Sequence, residues 1–176
     1  MRSSNWVLAP DKYLRKDQAS RLLNVARHRF ESAKGRKVPV RDYFIIHLAL
    51  TTGLRVMEIA ALKCSDLFLD DRICSVLVRR GKGNKKRMVY FTGPFRKHCK
   101  EYLRWKQKIG ESVEQEEPLI VSSNTGGQMT TRAIRKAFKR CAEKACLDSK
   151  YAIHCLRHYA EYLIMPSNSP FMLMAA

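Results

Sequence analysis

Acidic residues are scarce in this sequence: 16 Asp and Glu stand against 34 Lys and Arg, a formal net charge of +18 over 176 residues. Such an excess favours a polyanionic partner, of which nucleic acid is the foremost example. Long apolar runs are lacking as well. Tyr43 to Leu50 is far shorter than the roughly 20 residues of a membrane helix, and His47 interrupts it. The basic residues do not gather on one long amphipathic helix, which argues against a membrane surface as the partner. The first ten residues lack the apolar core of a signal peptide, so a cytoplasmic protein is expected. None of the six cysteines (Cys64, Cys74, Cys99, Cys141, Cys146, Cys155) forms a Cys-x-x-Cys pair. That speaks against a zinc module, and a secreted disulfide scaffold would be smaller and denser in cysteine. The thiols are expected to be reduced and mostly structural. Internal repeats and low-complexity tracts are also missing.

What is present suffices for one domain with a real core, since 45% of the residues are hydrophobic. Residues 1–10 read as a lead-in, 11–165 as the domain, and 166–176 as an irregular tail broken by Pro166 and Pro170. Asp17 to Ala33 places Ala19, Leu22, Leu23, Ala26 and Phe30 at helical spacing. Lys34 to Pro39 breaks that helix. Residues 40–52 form a second helix, apolar nearly all round and therefore central. From Ser65 the pattern turns β-rich: Leu67–Leu69, Ile73–Arg79 and Arg87–Phe91, with a glycine-rich hairpin between the last two. Pro94 to Ile109 returns to helix, and Leu119–Val121 is a brief extended piece. Thr130 or Thr131 caps a helix reaching Cys146, and Ile153 to Ile164 forms the last helix. The fold class is α+β, mainly α-helical, with a small three-stranded antiparallel sheet.

Four basic constellations stand out. In Thr51-Thr-Gly-Leu-Arg55-Val-Met-Glu58, Gly53 permits a sharp turn and Arg55 opens a new helix. Glu58, one helical step on, can brace the guanidinium, leaving a rigid planar fork suited to an anion. The plainer alternative is an ordinary surface i,i+3 pair. The second is the hairpin Arg79-Arg80-Gly-Lys82-Gly-Asn-Lys85-Lys86-Arg87. Glycines flank Lys82, which can reach a phosphate or give a proton to a leaving oxygen. A solvated charged hairpin is the alternative. The third is the helix face Arg132, Arg135, Lys136 and Lys139, a stripe suited to phosphate contacts along a duplex or simply to solvent. The fourth is His154-Cys-Leu-Arg157-His158. His154 and Arg157 share a face near a helix start, where the dipole also favours a phosphate. His154 and His158 have zinc-ligand spacing, but Cys155 stands where a Glu would follow the first His, and a structural histidine is the stronger alternative.

Thr-Gly-Leu-Arg55-x-x-Glu58, Gly-Lys82-Gly-Asn-Lys-Lys-Arg and His154-x-x-Arg157-His158, in this order and spacing, resemble the tyrosine recombinase (phage integrase) family. The resemblance implies a catalytic domain in which Arg55 and Arg157 clamp the non-bridging oxygens of a scissile phosphate. It also implies that Lys82 protonates the departing 5′ oxygen, His154 assists proton transfer and Glu58 supports Arg55. Arg80, Lys85, Lys86 and Arg87, with Arg132, Arg135, Lys136 and Lys139, become contacts to double-stranded DNA. A tyrosine hydroxyl attacks and leaves a 3′-phosphotyrosyl link, with no metal, nucleotide cofactor or small-molecule substrate. Other protomers on the DNA are implied partners through exchange of C-terminal segments.

In that family a His or Trp and the nucleophilic Tyr lie on the order of 20 and 30 residues beyond the second arginine. Only 19 residues follow Arg157. Tyr151, Tyr159 and Tyr162 lie beside or on the Arg157 helix, whereas the nucleophile must approach the phosphate from the opposite side. The expectation is a recombinase domain, from integration or excision of a mobile element, that binds DNA without cleaving it efficiently. Alternatives are an inactive remnant acting as a regulatory DNA-binding module, a fragment completed in trans, and a general basic DNA- or RNA-binding domain. The last requires Arg55 and Arg157 to lie far apart.

Overall fold

The computed structural model describes residues 13–70 and 72–164, with Lys82, Tyr162 and Ile164 described by their backbone alone. Six α-helices and three strands are found there: α1 (Lys16–Glu31), α2 (Lys37–Thr52), α3 (Val56–Ala60), β1 (Leu67–Leu69), β2 (Cys74–Val78), β3 (Arg87–Phe91), α4 (Gly93–Lys108), α5 (Thr131–Lys144) and α6 (His154–Ile164). The lead-in and the tail lie outside the described residues, and so do the ends of the expected 11–165 domain.

Helix α2 is the hub. It packs against α1, α4, α5, α6 and β3, and Phe44, Ile45, Ile46 and Leu48 are completely buried. This is what an apolar run without a polar stripe requires. The helix begins three residues earlier than the sequence suggests. Pro39 falls in its first turn, where the backbone N–H has no intrahelical acceptor, so proline is tolerated rather than terminating. Helices α1 and α2 run antiparallel: Arg29, late in α1, bonds Asp42, early in α2, while Ala19 and Leu23 share a groove with His47, Leu50 and Thr51.

Two charges on α2 are buried and both are matched. Asp42 receives Arg29 at 2.9 Å and Arg140 at 2.6 and 3.0 Å, tying α1, α2 and α5 together. Arg41 donates to Glu111 and Ser123, holding the loop between α4 and α5 against the core. Lys106 is buried on α4 and donates to the carbonyls of Pro118 and Leu119. Burial penalises its charged form and lowers its pKa. These cations anchor the run Leu119–Val121, which is buried but forms only an isolated bridge, Val121 to Gln128, rather than a strand.

The strands form an antiparallel meander in the order β1-β2-β3, in register at Leu67↔Val76 and Val78↔Arg87. Alternation gives the sheet two unlike faces. Val76 and Val78 are buried, with Leu67, Leu69, Val89 and Phe91 packed beside the core, while Phe68, Met88 and Tyr90 face outward. The middle strand spans Cys74–Val78; Ile73 is exposed and Arg79 turns aside to Asp66 at 2.6 Å. Among the described residues, no helix is long and apolar enough to cross a membrane.

Candidate functional site

The site is built where α2 ends. Gly53 follows Thr52 with φ of 62° and caps the helix by donating its N–H to the Ala49 carbonyl. That left-handed conformation suits glycine, and a second demand falls on the same residue: a Cβ here would lie 3.2 Å from Cβ of Ala160 on α6. Leu54 is buried, and Arg55 then projects outward at the start of α3. The Glu58 carboxylate accepts the Arg55 backbone N–H at 2.7 Å and its Nη1 at 3.1 Å. The expected brace is present.

Glu58 holds a second guanidinium that the sequence did not reveal. Arg87, the first residue of β3, donates Nη1 and Nη2 to the two carboxylate oxygens, each at 2.8 Å. Burial alone would push the Glu58 carboxyl up, but the Arg87 and Arg55 hydrogen bonds and charges outweigh it and bring it down to about 2. Glu58 is therefore ionised at neutral pH, and its charge is spread over two cations.

Helix α6 delivers the second arginine to the same turn. Arg157 Nη1 donates to the Gly53 carbonyl at 2.8 Å, two residues before Arg55, and its Nη2 pairs with Glu161 at 2.5 Å. A domain with the two arginines far apart is thereby ruled out. Glu161 also lies 3.4 Å from His158 Nδ1. It was overlooked in the sequence, where its i+4 spacing from Arg157 is the only signal. His154 is exposed at the start of α6, its ring edge-on to that of His158 with centroids 5.9 Å apart.

The β2–β3 hairpin brings its tip through a short 3-10 turn, Lys82–Asn84, closed by Gly81 N–H to the Lys85 carbonyl at 2.9 Å. Arg80, Lys85 and Lys86 are exposed, as a phosphate-contacting hairpin requires. Arg87 differs from its neighbours in that run: it is half-buried and committed to Glu58. On α5, Thr130 caps the helix by accepting the Ala133 N–H at 3.2 Å. Arg132, Arg135 and Lys136 are exposed on the face opposite Ile134, Phe138 and Cys141. Lys139 lies lower on that face and donates to the Ser149 carbonyl at 2.5 Å. Gln128, just before α5, bonds the Ala60 carbonyl at 2.6 Å and so fastens the basic helix to the end of α3.

Arg55 thus projects from the turn to which Arg157, on α6, is bonded, and His154 opens that same helix. Among the described residues, no three His, Cys, Asp or Glu side chains gather as metal ligands.

The chain is similar to several known proteins. The chain is 32% identical over 119 residues to the tyrosine recombinase XerC of Listeria welshimeri, covering 68% of this chain and 39% of the relative. It is 28% identical over 131 residues to XerC of Vibrio cholerae, covering 74% and 40%. Among solved structures, the XerH site-specific recombinase, bound to palindromic difH substrate in a post-cleavage complex, superposes with a TM-score of 0.69 at 26% identity, covering 86% of this chain and 41% of that one. The chain thus spans about two-fifths of the length of the curated relatives it matches. The Phage integrase family model matches residues 12–172, and the chain belongs to this family of tyrosine recombinases.

Proposed function

We propose that this chain is the phosphate-gripping, DNA-binding domain of a site-specific tyrosine recombinase that serves integration or excision of a mobile element. The observation that carries the reading is the seat of Arg157 on the Gly53 carbonyl, which puts both arginines at one turn. Arg55 and Arg157 hold the non-bridging oxygens of one phosphate in double-stranded DNA and offset the charge that builds up in the transition state. A tyrosine oxygen forms the new bond to phosphorus as the bond to the 5′ oxygen breaks. Lys82 supplies the proton to that leaving oxygen, and His154 assists proton transfer. The hairpin cations Arg80, Lys85 and Lys86 and the α5 stripe contact neighbouring phosphates and set the register of the duplex. Further protomers share the DNA.

Cleavage by these 176 residues alone is inefficient in this reading. The tyrosines with described side chains support that: Tyr102 and Tyr151 are buried, Tyr43 and Tyr159 pack against the core, Tyr13 is half-buried ahead of α1, and Tyr90 lies on the outer face of the sheet. The test begins with selection of a bound sequence from a randomised duplex pool. A nicked suicide form of the selected duplex is then incubated with the protein and run on a denaturing gel. Specific binding that Arg55→Ala weakens by about 10- to 100-fold, without a protein–DNA adduct, is the expected result. A protease-sensitive adduct would show that a tyrosine of this chain attacks. Binding unaffected by Arg55→Ala would remove the phosphate grip.

A further inference from the structure

The charges around Glu58 raise a question that the phosphate grip alone does not answer. A carboxylate bonded to Arg55 neutralises the cation that is meant to hold an anion. Here the two carboxylate oxygens accept both Arg87 Nη1 and Nη2 at 2.8 Å, whereas from Arg55 they take the backbone N–H at 2.7 Å and only one guanidinium N–H, at 3.1 Å. One anion between two cations leaves a net charge of +1. Glu58 is buried, while both guanidinium groups reach solvent in part, Arg55 at 43% and Arg87 at 35%.

Arg87 is also fixed mechanically to the hairpin that carries Lys82. It pairs with Val78 across the β2–β3 ladder, and its guanidinium lies over Gly81, where an added Cβ would come within 2.7 Å of Nη1. A side chain at position 81 would have to displace that guanidinium. The hairpin base, Arg87, Glu58 and Arg55 are therefore in continuous contact.

We propose that Arg87 is a positioning residue: by taking up the charge of Glu58 it keeps Arg55 cationic toward the phosphate, and it docks the Lys82 hairpin onto the Arg55 turn. The proposal rests on the phosphate-grip reading for its first half and on contacts within the protein for its second. It separates Arg87 from Arg80, Lys85 and Lys86 in the same basic run, which meet DNA directly.

The test uses the full chain, inorganic phosphate as the probe, and the Arg55 Nε–H signal in NMR as the readout. Arg87→Gln leaves Glu58 with Arg55 as its main counter-ion and weakens phosphate binding by about tenfold. Adding Glu58→Gln removes the competing charge while keeping an acceptor for the Arg55 N–H, and restores binding to within about threefold of the parent protein. Arg87→Lys falls between, having the charge without the fork. A merely structural role predicts no such rescue. A double variant as weak as Arg87→Gln, or an Arg87→Gln protein that binds like the parent, overturns the electrostatic half. Hydrogen exchange tests the docking half without any phosphate. In Arg87→Gln the Gly81 amide exchanges at least about tenfold faster while the Phe44 amide, in the core, does not change. Unchanged Gly81 exchange overturns the docking. A parent protein whose Arg55 signal ignores phosphate refutes the grip and the electrostatic half with it, and the exchange result then decides docking separately.

Discussion

Arg157 Nη1 donates to the carbonyl oxygen of Gly53 at 2.8 Å, so the second arginine of the site is held by the backbone turn that launches the first. The turn exists because Gly53 adopts φ of 62° with Ala160 directly behind it. Secondary structure, helix packing and site geometry meet in this one residue.

Gly53→Ala tests that dependence. An alanine must take a left-handed φ, at about 1–2 kcal/mol, and push Ala160 aside. A loss of about 2–3 kcal/mol in urea unfolding is expected, together with weaker binding to the selected duplex. A variant as stable as the parent would mean that the turn relaxes freely and that Arg157 is not held by it.

Asp42 is the second structural pivot. It is 1% exposed and receives three hydrogen bonds from Arg29 and Arg140. Asp42→Ala leaves two guanidinium groups at the junction of α1, α2 and α5 without a counter-ion. Because both arginines reach solvent in part, the expected loss is about 2–3 kcal/mol rather than the full cost of a stranded buried charge. Urea midpoints of the variant and of Arg140→Ala check this, with the latter milder. Equal midpoints for Asp42→Ala and the parent would dismiss the clamp.

How much of this could be read in the sequence depended on whether the signal was local. Helix α2 was legible because an unbroken apolar run has few alternatives, and the meander because β-rich runs were punctuated by glycine and aspartate. The Arg55–Glu58 brace was legible because both residues sit in one short motif. The Arg87–Glu58 pair was not, since its partners are far apart in sequence and Arg87 sits in a run of identical charge. Asp42 and Arg41 were missed for a related reason: a charged residue in sequence is read as solvated until its partners are seen. Pro39 misled as a helix breaker because its position within the first turn depends on a start that the residues do not mark.

The buried imidazoles of His47 and His98 make stability depend on pH. Their Nδ1 atoms face each other at 2.9 Å, which requires one to donate and the other to accept. Burial holds His47 down to about 4, and burial with the neighbouring His47 charge holds His98 down to about 3. Both folded values lie below the unfolded value near 6.5, so the unfolded chain takes up protons first. The contribution is complete above about pH 6.5 and is lost as pH falls toward about 4 for His47 and about 3 for His98. Urea midpoints at pH 7.5 and pH 5 measure the slope. The His47→Gln/His98→Gln variant flattens it; an equally steep slope there would place the acid sensitivity elsewhere.

The proposed contacts of the exposed α5 cations with DNA phosphates are sequence-independent. Replacing Arg132, Arg135 or Lys136 singly by Ala is expected to reduce the slope of log affinity against log salt by about one for each phosphate no longer neutralised. Selected and scrambled duplexes weaken alike, because phosphate contacts position without reading bases. Lys139→Ala changes the slope least, its ammonium being engaged with Ser149. Loss of discrimination between the two duplexes would instead assign base contacts to this helix.

Closure of Arg55 and Arg157 on one particular phosphate is tested most directly by a set of selected duplexes in which single phosphates are replaced, one at a time, by neutral methylphosphonate. Binding of the parent protein is expected to fall about 10- to 100-fold at one phosphate, the magnitude of the charge-assisted hydrogen bonds removed there. The Arg55→Ala/Arg157→Ala protein is expected to be indifferent to that same replacement while still responding at the positions served by α5. Equal sensitivity of the parent and the double variant at every phosphate would contradict a grip by these two arginines.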